Sequence, residues 1–204
     1  MKILVACEYS GRVREAFRAK GHDVTSCDLE PADDNSPHHV QGSVIPLLKE
    51  RWDMIIAHPP CTYLTNAGVG HLYVGGKGSR QPNLLRWKLL EEGAAFFRLF
   101  LEADCDKIAI ENPIMHCYGK DLIGRSQDQV IQPWMFGHME QKATCLWLKG
   151  LEPLKPTNNV KAEMMLLPKA QRQRLHYLSP GPLRWKLRSA TFPGIADAMS
   201  EQWG

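Results

Sequence analysis

The sequence predicts an α/β protein with a mostly parallel sheet and helices on both of its faces. Three observations predict it. Short apolar runs at Lys2–Cys7, Met54–Ala57 and Lys107–Glu111 have strand length, and each runs into polar or turn-forming residues. Stretches with helical spacing lie between them, at Arg12–Lys20 and Leu84–Ala103. Strands that alternate with helices in this way build βαβ units, whose strands run parallel.

Taken in order, Lys2–Cys7 is the first strand. Gly11 opens the first helix, which carries Val13, Ala16 and Phe17 at helical spacing and ends at Gly21, a natural C-terminal cap. Asp23–Ser26 is the second strand, ending at Asp28. Val44–Lys49 is expected to be a short helix. Met54–Ala57 is a buried strand that runs into His58-Pro59-Pro60-Cys61. Thr62–Pro82 is polar and glycine-rich, so a long, mobile loop is expected there, able to close over a substrate. Leu84–Ala103 is an amphipathic helix. Lys107–Glu111 is a strand stopped by Pro113, Lys142–Leu148 a late strand and Ile195–Gln202 a closing helix. Pro153–Asn159, with two prolines and two asparagines, is the best candidate for a linker.

The 204 residues are enough for one core, at roughly 100–200 residues per domain. A hydrophobic content of 44% and a charged content of 23% are ordinary for a globular chain. No apolar run is long enough to span a membrane. The N-terminus stops being apolar at Glu8, too early for a signal-peptide core, so a cytoplasmic protein is expected. Six cysteines are expected to stay reduced, and none forms a C-x-x-C pair, so no metal site is expected.

The net charge is only +3, but its distribution is uneven. From Glu163 to Asp197 no acidic residue intervenes, while Lys169, Arg172, Arg174, Arg184, Lys186 and Arg188 are interleaved with Tyr177 and Trp185. Cations suit phosphate contact and aromatics suit base stacking. A solvated basic surface would look the same.

Parallel sheets bind ligands beyond the carboxyl ends of their strands. Three such ends stand out. The first is Cys7-Glu8-Tyr9-Ser10-Gly11, a strand–turn–helix start, with Asp28 at the neighbouring strand end placed to accept hydrogen bonds from ribose hydroxyls. The second is Pro59-Pro60-Cys61 followed by Ala67-Gly68. The third is Ile110-Glu111-Asn112-Pro113. In this order, the last two resemble the Pro-Pro-Cys and Glu-Asn motifs of DNA cytosine-5 methyltransferases. Gln141-Lys142-Ala143-Thr144 and Arg188–Ala196 are similar to that family's late motifs. The resemblance covers Met1 to about Leu148 and the tail.

The resemblance implies a Rossmann-like fold of the kind that uses S-adenosylmethionine, and methyl transfer to C5 of cytosine in DNA. A cysteine thiolate adding to C6 makes C5 nucleophilic, and a carboxyl group at N3 stabilises the adduct. It implies Cys61 as nucleophile, Glu111 as N3 partner and Lys142 as the basic residue near the base. A partly desolvated site would raise the pKa of Glu111 and keep a proton on it. Donor contacts would come from Glu8, Tyr9, Ser10, Gly11, Asp28, Leu29, Ser43 and Pro59. Nucleic-acid contacts would come from Lys169, Arg172, Arg174, Arg184, Lys186 and Arg188.

The sequence also departs from the family. Its first motif, usually Phe-x-Gly-x-Gly-Gly, is here Ala6-Cys7-Glu8-Tyr9-Ser10-Gly11. Gly42-Ser43 stands where an acid commonly reads the adenine amino group. Lys142 replaces a planar arginine fork with a point charge. The region that reads the target sequence in typical members is reduced to Asn158–Leu183, too short for an independent domain. One domain over 1–204 is therefore expected, with 158–188 as a small basic segment and weak or short sequence specificity. Compact chains of this kind are similar to those encoded by phages. Monomer and homodimer are both compatible with the sequence. Single strands, RNA or nucleotides remain alternative substrates, a carboxylated sulfonium remains an alternative donor, and a non-catalytic binding module remains a third reading. Methylation of amino groups is disfavoured, because the aromatic that ends its Asp/Asn-Pro-Pro motif is here Cys61.

Overall fold

A computed structural model describes residues 1–75 and 78–204. Its strands are β1 (Lys2–Ala6), β2 (Asp23–Asp28), β3 (His39–Gln41), β4 (Met54–Ala57), β5 (Ile108–Pro113), β6 (Gln129–Ile131) and β7 (Thr144–Lys149). They form a seven-stranded sheet in the order β3-β2-β1-β4-β5-β7-β6. β1 to β5 run parallel, and β7 is antiparallel to both of its neighbours. The strand order reverses at β1 and β4, so the chain crosses between these neighbours and leaves a crevice above their carboxyl ends.

The helices are α1 (Arg12–Ala19), α2 (Asn66–Val69), α3 (Leu84–Leu101), α4 (Cys117–Ile123), α5 (Lys161–Met165), α6 (Lys169–Arg172), α7 (Arg184–Ser189) and α8 (Pro193–Trp203). Alternation along the strands divides the core between the two faces. Leu4, Ala6, Ile55, Ala57 and Ile110 meet Ala94, Phe97 and Phe100 of α3. Ile3, Val5, Met54 and Ile56 meet Phe17 of α1 and Ile195, Met199 and Trp203 of α8. Helices therefore cover both faces. Asn83 caps α3 by accepting a hydrogen bond from the Arg86 N–H.

Several expectations need correction. Val44–Lys49 is not an α-helix: only a single 3₁₀ turn forms, at Leu47–Lys49. Pro113 does not stop the fifth strand but is its last residue, opposite Thr144. The 62–82 stretch is not free: Leu64 and Leu72 are fully buried, α2 lies within it, and bridges tie Thr65 to Met115 and Tyr73 to Pro82. Gly76 and Lys77 of that expected loop lie outside the described residues. The expected linker is anchored as well. Leu154 is buried and exchanges two hydrogen bonds with the Gln129 side chain, and the Asn158 carbonyl accepts from the Gly137 N–H. Among the described residues no helix is long and apolar enough to cross a membrane.

Candidate active site

Two strand ends build the centre of the site. Ala57 of β4 lies beside Ile110 of β5, so the next residues, His58 and Glu111, emerge as cross-strand neighbours. His58 Nδ1 lies 3.0 Å from Glu111 Oε2, with the two side chains only 9% and 12% exposed. Asn112 follows and is buried, and its Nδ2 donates to the Pro59 carbonyl at 2.8 Å. One side chain thus joins the Glu-Asn stretch to the Pro-Pro-Cys stretch.

Cys61 begins the turn that follows, where its carbonyl accepts from the Leu64 N–H at 3.1 Å. Burial of Leu64 anchors the turn on one side. On the other, Gly68 presses against the Thr62 carbonyl and the Tyr63 backbone so closely that a Cβ would collide with both. This close approach explains the glycine of Ala67-Gly68. Arg86 closes the arrangement, donating to the Gly68 carbonyl at 3.1 Å and lying over the Tyr63 ring. The thiol stands half-buried at the sheet end and is not sealed in the core.

The charges of these groups are coupled. Burial pushes the Cys61 thiol up, and the negative Glu111 adds to this, while Lys142 and Arg188 oppose it. Burial also pushes Glu111 up, but the hydrogen bond and charge of His58, helped by Lys142, outweigh it and hold the carboxyl below its ordinary range. The sequence-based expectation of a raised Glu111 is therefore reversed, and the cause is a histidine to which sequence reasoning gave no role. Burial lowers His58, but the bond to Glu111, its charge and that of Glu8 raise it overall. The contact between the two side chains favours an imidazolium beside a carboxylate, and burial favours the protonated thiol.

The residues expected to hold a donor line the ends of β1, β2 and β4, but not all present free side chains. Glu8 is buried, and its carboxylate accepts from the Val13 N–H at 2.7 Å and the Arg14 N–H at 3.2 Å. It caps α1 and occupies the place where a ligand anion would sit. Tyr9 is buried, and its hydroxyl donates to the Lys186 carbonyl at 2.6 Å. Cys7 and Gly11 both have left-handed backbone, with φ of 57° and 70°. Only the first bears a side chain that disfavours this conformation. Asp28 is half-buried, with Oδ1 accepting from the Glu30 N–H and Oδ2 carrying no hydrogen bond among the described residues. Leu29 beside it is 74% exposed, an apolar surface next to an acceptor. Ser43 is exposed, and Pro59 is buried and carries the carbonyl held by Asn112.

Lys142 does reach the centre electrostatically, although its Nζ donates to the Arg188 carbonyl at 2.7 Å. The basic segment is less free than its composition implies. Arg172 donates to the Met165 carbonyl, Arg174 pairs with Glu140, Arg184 donates to the Leu178 carbonyl and Lys186 pairs with Asp33. Among the described residues Lys169 and Arg188 are the two of the six candidates whose side chains make no such bond. A cavity of about 550 Å³ opens between Tyr9, Ser10, Arg12, Lys186 and Phe192. It adjoins the turn after β1, and neither Cys61 nor Glu111 lines it.

No family model matches the sequence, and no curated protein matches it. Solved structures do. The chain is similar to a protein described as a DNA modification methyltransferase encoded within an E. coli prophage, at 17% identity and a TM-score of 0.50. The match covers 83% of this chain and 56% of that one, so the chain spans little more than half the length of that structure. Weaker likenesses are a TehB-like SAM-dependent methyltransferase from Corynebacterium glutamicum and a mutant of DNMT2 from Spodoptera frugiperda. The first has 18% identity and a TM-score of 0.37, covering 72% of this chain and 79% of the other. The second has 15% identity and a TM-score of 0.38, covering 78% and 53%. Both are too remote to add to the first. The fold is Rossmann-like, a mostly parallel seven-stranded sheet between helices, and is shared with that prophage-encoded methyltransferase structure.

Proposed function

We propose that the chain transfers a methyl group from S-adenosylmethionine to C5 of cytosine in DNA, through a covalent bond between Cys61 and C6. One observation carries the reading. A half-buried thiol and a carboxyl group come from adjacent strand ends, the carboxylate opposes ionisation of the thiol, and the Asn112 bond to Pro59 joins their two stretches.

Asp28 and Leu29 would hold the nucleoside end of the donor, whose sulfonium supplies an electrophilic methyl carbon. Its carboxylate end cannot take the α1 N-terminus, which Glu8 fills. The Cys61 thiol must first lose its proton, since burial keeps it neutral at rest. The thiolate adds to C6 and pushes ring electrons toward C5 and N3, where Glu111 meets them. C5 then bonds the methyl carbon as that carbon's bond to the donor sulfur breaks, the electron pair staying on sulfur to leave a neutral thioether. Loss of the C5 proton and cleavage of the sulfur–C6 bond restore the ring and the thiolate. Lys142, positive and close to both groups, stabilises the thiolate before attack.

Flexible or single-stranded DNA is the favoured form. Four of the six candidate phosphate-binding cations are tied to the protein itself. Flipping a paired base costs a few kcal/mol, which a single strand avoids. The test is mass spectrometry of nucleosides from single-stranded and duplex DNA incubated with protein and donor. 5-Methylcytosine, absent with Cys61→Ala, is the expected product. Methylation of an exocyclic amine, or a product unaffected by Cys61→Ala, would overturn the reading.

A further inference from the structure

His58 and Glu111 are cross-strand neighbours in a site that needs one proton at the right moment. Their contact of 3.0 Å joins Nδ1 to Oε2, and both side chains are about nine-tenths buried. The other ring nitrogen, Nε2, is buried with no hydrogen-bond partner among the described residues. A histidine kept only for packing is normally satisfied at both nitrogens or left neutral. This ring is held through Nδ1 alone, and its bond goes to the one carboxyl that must act on the substrate.

We propose that His58 supplies the proton that Glu111 delivers to N3 of the target cytosine, so that the two side chains work as one acid. The proposal rests on the methyl-transfer reading above and assigns His58 as a positioning and proton-storing residue behind Glu111. The charged groups facing it are Glu8 beyond β1, Glu111 on β5 and Lys142 before β7; the two carboxylates favour the imidazolium and the lysine opposes it.

The step balances. As sulfur bonds to C6, the ring electron pair moves toward N3. N3 takes one proton through the Glu111 carboxyl, and His58 is left as neutral imidazole beside a carboxylate. C5 bonds the methyl carbon as the donor's sulfur–methyl bond breaks and its pair stays on that sulfur; the C5 proton then leaves to water and its electron pair re-forms the C5–C6 double bond. Sulfur departs with its own pair, and the N3 proton returns to the His58–Glu111 pair. Paired with His58, Glu111 is held below its usual range and carries no proton of its own to give at neutral pH, so the pair's proton resides on the ring.

The experiment is single-turnover transfer of a radiolabelled methyl group from S-adenosylmethionine to a cytosine-containing single-stranded oligonucleotide, measured across pH. His58→Asn keeps a donor near Nδ1 but cannot ionise. Wild type is expected to show a rate that falls as His58 loses its proton above its ordinary value of 6.5. His58→Asn should lose that falling limb and run about 100-fold slower at neutral pH, with donor binding by calorimetry unchanged. The same falling limb in His58→Asn, or an unchanged rate, would overturn the proposal while leaving the methyl-transfer reading intact. If His58→Asn fails to bind donor, nitrogen-15 NMR of wild-type His58 decides. An imidazolium at neutral pH supports the proposal, and a neutral ring overturns it. If wild type methylates no cytosine at any pH, the reading itself fails and the proposal falls with it.

Discussion

At the scale of single residues, the ionisation of Cys61 is set by what surrounds it rather than by its own chemistry. Burial and the Glu111 charge both push the thiol up. Replacing Glu111 with Gln removes a negative charge, so the thiolate fraction at a given pH must rise. Alkylation of Cys61 by iodoacetamide, followed on its own peptide by mass spectrometry, should then be up to about tenfold faster at neutral pH, the effect of one pKa unit. A slower reaction in Glu111→Gln would mean that the carboxyl does not face the thiol. Cys61 and Glu111 were singled out by the resemblance of the Pro-Pro-Cys and Glu-Asn stretches to a known pair of motifs, and Asn112 joins those two stretches in the fold. His58 was not. Its meaning depends on register, and only the pairing of Ala57 with Ile110 sets it against Glu111.

At the scale of elements, the ends of β4 and β5 are joined by Asn112. Its Nδ2 bond to the Pro59 carbonyl is buried, so Asn112→Ala leaves that carbonyl without its partner. A loss of about 1–3 kcal/mol is expected, read from the midpoint of urea unfolding. Proteolysis should quicken around Cys61 at the same time, and an unchanged midpoint would contradict the account. The strands with continuous apolar runs could be read from the sequence, β4 to the residue. The short edge strands β3 and β6 could not, since three residues carry too little periodicity. The 62–82 stretch is mostly the irregular segment the sequence reading expected, but its anchoring was not visible there. Its glycines and polar residues signal a loop, while the burial of Leu64 and Leu72 that pins it is a tertiary effect.

At the scale of the whole molecule, the basic segment and the donor-side turn form one surface. Tyr9 donates to the Lys186 carbonyl, Lys186 pairs with Asp33, and Lys142 donates to the Arg188 carbonyl. Composition announced this segment as a cluster of phosphate-binding cations, but pairing to Glu140 and Asp33 was invisible because those acids lie far away in the chain. Lys169 and Arg188 are then the cations to test. The double variant Lys169→Ala with Arg188→Ala should lower the slope of log affinity for DNA against log salt by about 1.8, at roughly 0.9 per phosphate contact. An unchanged slope would move the nucleic acid to another face. The central claim, however, is the bond between sulfur and carbon, and covalent trapping tests it most directly. With S-adenosylmethionine and an oligonucleotide bearing 5-fluorocytosine, the ring cannot shed fluorine as it would a proton, so the adduct should persist. The account predicts a stable protein–DNA species whose cross-linked peptide contains Cys61. Saturated binding of donor and oligonucleotide with no such species, or a cross-link at another residue, would contradict it.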